Sequence, residues 1–168
     1  MGMHRVALVS DTHVPSRASE IPNFVEEAVE DADVVVHAGD FDSEDAYDAF
    51  EELADGELVA VRGNKDPVNL GLPAVETLWV EDRQFVVVHG SGPLEGYEDR
   101  VLQAVREDRD DEDAIGVSGH THDLVDETVE GVRLLNPGSS TGASPADEAT
   151  MLTVDVDGSD VDVTVVRE

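Results

Sequence analysis

"RVALVS", residues 5–10, is a run of apolar and β-branched residues that leads directly into the polar sequence "DTH", residues 11–13. A run of this length and composition is typical of a buried strand. Segments 20–32 and 43–55 have apolar residues at helical spacing and lie between the first three such runs. This βαβαβ order predicts a parallel sheet with helices packed on it. The four further runs are "DVVVHA" 33–38, "ELVAVR" 57–62, "FVVVHG" 85–90 and "AIGVSG" 114–119.

The second half of the chain alternates apolar and polar residues around short turn signals, which is typical of hairpins. The predicted turns are at Glu81-Asp82, Glu130-Gly131 and Asp157-Gly158. A parallel half and a hairpin half together predict an α/β fold in which two sheets pack face to face with helices outside. The length of 168 residues fits one domain over residues 1–168.

The chain is strongly acidic, with 10 Lys and Arg against 40 Asp and Glu and a formal net charge of -30. Repulsion at this charge density destabilises a compact fold in dilute buffer, whereas molar salt shortens the Debye length to roughly 3 Å. We therefore expect a halophilic protein. The same charge argues against nonspecific binding to nucleic acid or to a membrane, since both need clustered cations. The acidic run 106–114 is interpreted as a solvated helix end and turn, with a cation-binding loop as the alternative.

Cysteine is absent from the sequence, so a disulfide framework and a thiolate metal site are excluded. No stretch approaches ~20 consecutive apolar residues, and the N-terminal sequence lacks the features of a signal peptide. A cytoplasmic location is the simplest expectation.

Polar side chains that can bind a metal ion follow each of the five predicted strands. In open α/β sheets, ligand sites form beyond the carboxyl ends of the strands, where these side chains would converge. Carboxylate, imidazole and amide ligands without a thiolate suit Mn, Fe, Ni, Co or Zn. The number of ligands predicts two metals that share a carboxylate, with a bridging hydroxide as the nucleophile of an in-line displacement. The candidate ligands are Asp11, His13, Asp40, Asn64, His89, His120 and His122.

Each candidate has an ordinary structural interpretation when it is taken alone. Asp11 and Asp40 could be helix caps, and Asn64 after Gly63 could be a turn residue with positive φ. His89 could be a hydrogen-bonded core histidine. The remaining two histidines, His4 and His37, are assigned no role in the site. Only the ordered series favours metal binding.

The series resembles the calcineurin-like metallophosphoesterase superfamily, and within it the small bacterial and archaeal phosphodiesterases related to the retromer subunit Vps29. Segments 10–17, 61–66 and 136–143 support the closer resemblance. The resemblance implies a four-layer αββα sandwich of two mixed sheets. The matching motifs, in order, are D-x-H at Asp11-Thr12-His13, G-D at Gly39-Asp40, G-N at Gly63-Asn64, H-G at His89-Gly90 and G-H-x-H at Gly119-His120-Thr121-His122.

The resemblance also implies how two divalent ions would be held. It assigns Asp11, His13 and His122 to the first metal, and Asn64, His89 and His120 to the second. Asp40 would bridge both. Manganese is the expected metal, with Ni, Fe, Co and Zn as alternatives.

Two positions depart from the family pattern. Lys65 stands where many members have a histidine that assists the leaving group, and Ser91 replaces a second histidine after His89-Gly90. With Asp40 and Asn64, Lys65 and His89 form the expected catalytic set. Asn64, Lys65, Ser91 and Arg17 are the expected substrate contacts. Arg17 and Arg62 are each a candidate phosphate contact, and a surface ion pair is the favoured alternative for both. The walls of the substrate pocket are expected to be formed by loops such as 14–20, 66–73 and 91–100.

These observations predict a divalent-metal-dependent phosphoesterase, with phosphodiesters favoured over monoesters and a small phosphorylated substrate. The alternative is a non-catalytic, Vps29-like protein-binding scaffold whose metal site is vestigial or structural. Exposed hairpin edges permit a homodimer.

Overall fold

Ten strands and three α-helices are formed by the residues that the computed structural model describes, 3–55 and 57–167. The helices are α1 (Asn23–Glu30), α2 (Glu44–Leu53) and α3 (Tyr97–Asp108). The strands are β1 (His4–Val9), β2 (Val34–His37), β3 (Leu58–Ala60), β4 (Val75–Val80), β5 (Arg83–Val88), β6 (Ile115–Val117), β7 (Leu124–Val129), β8 (Val132–Pro137), β9 (Thr150–Asp157) and β10 (Asp160–Arg167).

The first sheet has the strand order β10-β9-β1-β2-β3. Its strands β1, β2 and β3 are parallel, as the βαβαβ pattern predicts, and β1 aligns with β2 from Val6 opposite Val34 to Val9 opposite His37. The hairpin β9-β10 adds to the other side of β1 in antiparallel register. The parallel half and the hairpin half of the sequence therefore do not correspond to the two sheets.

The second sheet has the order β4-β5-β6-β8-β7 and is also mixed. β5, β6 and β8 run parallel, while β4 and β7 are antiparallel edge strands. The predicted turns at Glu81-Asp82 and Glu130-Gly131 are confirmed. The third turn is shifted by one residue to Gly158-Ser159, because Asp157 still pairs with Asp160.

The start of helix α3 was not predicted, since segment 91–100 was expected to be a loop and the helix begins at Tyr97. Its start at Gly96 has no side-chain cap, so the usual sequence signal is missing. The helix is stabilised by burial of Val101, Leu102 and Val105. Residues 106–108 end α3 and 109–114 lead into β6, in agreement with a helix end and turn.

Alternate residues of the central strands face two different apolar layers. In β1, Val6 and Leu8 lie in the core between the sheets, whereas Ala7 and Val9 pack against α1 and α2. Helix α3 covers the outer face of the second sheet, where Val86 is buried. Helices thus lie outside two facing sheets, which is the predicted αββα arrangement. None of the helices in the described part of the chain combines the length and apolar character needed to span a membrane.

Candidate metal centre

The backbone reverses immediately after several strands, with non-glycine residues in the left-handed region. This conformation costs roughly 1 kcal/mol for each such residue, and Asp and His tolerate it better than bulkier side chains. Residues in this conformation cluster at functional sites. Here the reversals turn side chains from different strands toward one point. The residues and their φ angles are Asp11 52°, His13 47°, Asp40 65°, Asp42 86°, His120 75° and His122 64°.

One group of three side chains combines the ends of β1 and β6. Ligand atoms of Asp11, His13 and His122 all lie within 4.8 Å of one another. Nε2 of His122 is 3.5 Å from Oδ1 of Asp11, and the His13 and His122 ring centroids are 5.1 Å apart. All three side chains are buried.

A second group lies beside it, at the ends of β2, β5 and β6. Asp40, His89 and His120 bring their ligand atoms within 4.8 Å of one another. Nε2 of His89 is 3.2 Å from Oδ2 of Asp40 and 3.1 Å from Oδ1 of Asn64. The Asn64 amide is therefore placed to complete this group.

Asp40 connects the two groups through a single oxygen. Its Oδ2 lies 3.4 Å from Nε2 of His13 in the first group and 3.2 Å from Nε2 of His89 in the second. Its other oxygen, Oδ1, accepts a hydrogen bond of 2.8 Å from the backbone N–H of Lys65. All seven candidate ligands thus converge at one site.

Each imidazole of the two groups forms a hydrogen bond to a protein acceptor through one ring nitrogen, and its other ring nitrogen faces the centre. A histidine that binds a metal ion is typically oriented in this way. Nε2 of His13 is buried and has no hydrogen-bond partner within residues 3–55 and 57–167. An unpartnered buried nitrogen is costly unless it binds something, so the donor set fits divalent metals. The acceptors are Asp42 Oδ1 for His13 at 2.9 Å, Ala38 O for His89 at 2.7 Å, Gly92 O for His120 at 2.7 Å and Ala143 O for His122 at 2.8 Å.

The two buried carboxylates have pKa values shifted in opposite directions. Burial raises the pKa of Asp11 to about 6, against the opposing charge of His89. Burial would also raise the pKa of Asp40, but the hydrogen bond and charge of His89 outweigh it and lower the value to about 2. Both side chains are therefore largely ionised at neutral pH and available to a cation.

Three further residues hold the site in place and were not predicted. Asp66 accepts hydrogen bonds from backbone N–H groups around Asp40, and Asp42 orients His13. Asn136 donates to the carbonyl of Gly119 at 3.2 Å, just before the two histidines that follow β6. Asp42 and Asp66 share a sequence signal. Each lies two residues after a candidate ligand, Asp40 in "GDFD" and Asn64 in "GNKD", and this repeated spacing could have identified them.

Three of the four predicted substrate contacts line two cavities, whereas Asn64 lines neither and lies beside His89. Lys65 and Arg17 line a cavity of about 420 Å³ on the His13 side. Ser91 lines a cavity of about 210 Å³ on the His89 side. The guanidinium of Arg17 donates to the carbonyl oxygen of Ser144 at 2.8 Å, and no ion pair forms with the described carboxylates.

The two histidines that were assigned no role lie outside both groups. His37 is fully buried beneath the site, with Nε2 2.9 Å from Oγ1 of Thr12. His4 is exposed and lies 3.1 Å from Glu81.

A family model for the calcineurin-like phosphoesterase superfamily domain matches residues 4–159. The chain belongs to the calcineurin-like phosphoesterase superfamily. This membership agrees with the resemblance inferred from the five motifs, and the two mixed sheets are consistent with the superfamily's sandwich.

This chain is similar in sequence to archaeal proteins and in structure to Vps29. A protein named "Probable metallophosphoesterase" from Methanothermobacter thermautotrophicus is 33% identical over 96% of this chain and 91% of its own length. A phosphodiesterase from Methanocaldococcus jannaschii is 29% identical over 82% of this chain and 85% of its own. Vps29 from Entamoeba histolytica, as a single mutant, is 26% identical with a TM-score of 0.78 and covers 98% of this chain and 99% of its own. Wild-type Vps29 from the same organism, at 25% identity and a TM-score of 0.67 over 97% and 98% of the two chains, is complexed with Zn²⁺.

Proposed function

We propose that this protein is a metal-dependent phosphoesterase with a dinuclear centre, acting on phosphodiesters. The observation that carries the proposal is the position of Asp40 Oδ2, 3.4 Å from His13 and 3.2 Å from His89, between two groups of three ligands. Family membership and the names of the archaeal relatives support the same reaction class.

The residues would divide between two ions as the family pattern implies. Asp11, His13 and His122 would hold one ion; Asn64, His89 and His120 would hold the other, and Asp40 would contact both. Divalent ions in such a site supply a water of lowered pKa as nucleophile and positive charge for the phosphoryl oxygens. Manganese is our expected metal, with Ni, Fe, Co and Zn as alternatives, since the ligands are oxygen and nitrogen atoms without a thiolate.

The protein's own polar groups would orient the phosphate. Lys65 and Arg17 place two cations on the His13 side, and the hydroxyl of Ser91 can donate a hydrogen bond from the opposite side. A lysine supplies charge where the family's histidine also moves a proton. We therefore expect faster hydrolysis of esters whose leaving group departs without protonation, such as aryl oxides.

Preference for diesters follows from the shape of the surroundings. Cavities open on both the His13 side and the His89 side of the centre. A diester has two substituents on phosphorus, and each cavity can receive one. A monoester would leave one cavity unfilled and would gain less binding energy.

The decisive test is an Asp40→Ala substitution, assayed on an activated aryl phosphodiester with Mn²⁺ in high salt. Hydrolysis should be abolished, because both ligand groups lose their shared oxygen. Asp48→Ala, which removes an exposed carboxylate from α2, is the matched control and should retain full activity. A folded Asp40→Ala protein with unchanged activity would show that the mechanism is wrong.

The alternative is a non-catalytic protein-binding role, which the structural likeness to Vps29 favours. Lys65 and Ser91 are the residues consistent with it, since both depart from the catalytic pattern. Metal content and turnover measured on one sample separate the two functions. Bound metal without hydrolysis of any mono- or diester substrate would favour the binding role.

A further inference from the structure

The cavity of about 210 Å³ on the His89 side has an unusual charge for this protein. Its walls are formed by Arg62, Ala74, Val88, His89, Gly90, Ser91 and Arg100, with no Asp or Glu among them. Four other cavities of the molecule each include at least one carboxylate in their walls. In a chain with 40 acidic and 10 basic residues, two arginines without a carboxylate form a local concentration of positive charge.

Neither arginine is neutralised by a neighbouring residue. Among residues 3–55 and 57–167, the side chain of Arg62 makes no hydrogen bond and no ion pair, although the chain is rich in carboxylates. Arg100 donates to the carbonyl oxygens of Gly90 at 3.1 Å and Pro93 at 2.7 Å. Those bonds fix the loop that carries Ser91, but carbonyl oxygens do not cancel the guanidinium charge.

The cavity borders the metal centre at His89, which lines it and whose Nε2 faces Asp40 at 3.2 Å. Arg62 also lies on the same loop as Asn64, two residues before it. One substrate could therefore place its scissile phosphate at the centre and a second group beside Arg62. Guanidinium groups recognise phosphate through paired, charge-assisted hydrogen bonds.

We infer that this cavity is a subsite for a second phosphate, so that the substrate is a phosphodiester carrying a further phosphate group. The inference rests on the proposed function, because the scissile phosphate must occupy the adjacent centre. The cavity volume exceeds the space that one phosphate group needs. Arg62 would contact this second phosphate directly, whereas Arg100 would add charge and hold the wall in place.

The test compares two substrates with the same leaving group. They are the p-nitrophenyl phosphodiester of thymidine and its counterpart with a terminal phosphate on the other sugar hydroxyl. The unaltered protein should have the higher kcat/KM on the substrate that carries the terminal phosphate. Arg62→Gln should lower kcat/KM for that substrate about tenfold and leave the other one nearly unchanged. Arg62→Lys should restore part of the loss, since it keeps the charge.

Arg83→Gln is the matched control, because Arg83 also lacks a carboxylate partner among the described residues but lies at the opposite end of β5 from His89. It should leave both rates unchanged. An equal effect of Arg62→Gln on both substrates, or no effect on either, would overturn the subsite while leaving the phosphodiesterase function standing.

Hydrolysis of neither substrate would overturn the proposed function. The subsite can then still be tested by the binding of product nucleotides. Thymidine bisphosphate and thymidine monophosphate would be titrated calorimetrically into the metal-loaded protein. A selective loss of bisphosphate affinity in Arg62→Gln would support the subsite. Equal affinities in the altered and unaltered proteins would exclude it.

Discussion

The carboxylate of Asp66 accepts a hydrogen bond of 2.8 Å from the backbone N–H of Asp40, the residue that connects the two ligand groups. The same carboxylate accepts from Phe41 at 2.7 Å, Asp42 at 3.1 Å and Gly63 at 2.8 Å. One buried side chain therefore fixes the loops that follow β2 and β3, and the position of Asp40 depends on it.

Replacement of Asp66 by Asn should destabilise these loops. Each carboxylate oxygen of Asp66 accepts from two backbone N–H groups, and the amide nitrogen that replaces one oxygen cannot accept a hydrogen bond. Two buried donors would be left unpaired, at a cost of about 2–4 kcal/mol in the free energy of unfolding. Urea unfolding measures this cost, and metal affinity should fall as well. Asp48→Asn on the exposed face of α2 is the control. Equal stability of the two variants would contradict the proposed role of Asp66.

Asp42 is expected to control metal affinity through His13, whose Nδ1 lies 2.9 Å from Asp42 Oδ1. The φ of 86° at Asp42 favours glycine or asparagine as replacements. Asp42→Gly removes the acceptor and should weaken metal binding about 10- to 100-fold, whereas Asp42→Asn keeps an acceptor and should weaken it less. Competition with a chelator of known affinity measures both. Identical affinities for the two variants would show that the hydrogen bond is unimportant.

Gly63 should be essential for steric reasons. A Cβ atom at this position would overlap Oδ1 and the backbone nitrogen of Asp40. Gly63→Ala should therefore displace Asp40 and reduce the amount of bound metal, as measured by elemental analysis after dialysis. Gly131→Ala is the control, since its Cβ would meet no atom within 4 Å and its φ of 82° costs only about 1 kcal/mol. Full metal content in Gly63→Ala would contradict this prediction.

Acid should destabilise the protein through His37. Burial lowers its pKa well below the usual value, with Asp40 opposing and His89 reinforcing the shift. Its Nδ1 accepts from the backbone N–H of Gly39 at 3.1 Å, a bond that protonation would break. Below pH 6.5 the unfolded chain binds a proton at this histidine and the folded protein does not, so stability falls as pH falls. The loss should grow as the pH falls further below 6.5.

Urea unfolding at pH 8 and pH 5, with EDTA present so that metal release does not contribute, measures this loss. His37→Gln removes the titrating group, so its stability should change less over the same interval. Parallel pH dependence in the two proteins would assign the acid sensitivity to other groups.

Salt should stabilise the fold strongly, because the net charge of -30 is concentrated on a chain of 168 residues. The Debye length falls from about 10 Å at 0.1 M to about 3 Å at 1 M, so repulsion between surface carboxylates is largely removed. We expect the Tm to rise steeply with KCl over this range. Sucrose, which does not screen charge, is the control. A Tm that is independent of KCl would argue against adaptation to high salt.

The sequence determined the order of the early elements and the identity of the candidate ligands. Buried parallel strands need continuous apolar runs, so β1, β2 and β3 were readable directly. The ligands were readable because each follows the carboxyl end of a predicted strand, and these ends of the two sheets meet at one site. Helix α3 was not readable, since its start at Gly96 lacks a capping side chain and its stability comes from packing on the second sheet.

Other features were decided only by the tertiary structure. The spacing of Asp66 from Asn64 is visible in the sequence, but the role of its carboxylate appears only when the backbones of residues 40–42 and Gly63 surround it. The grouping of Arg62 with Arg100, 38 positions apart in sequence, likewise depends on how the loop after β3 meets α3. Apolar periodicity is a local property that one strand or helix reveals by itself. Hydrogen-bond satisfaction and charge depend on neighbours that only the folded chain brings together.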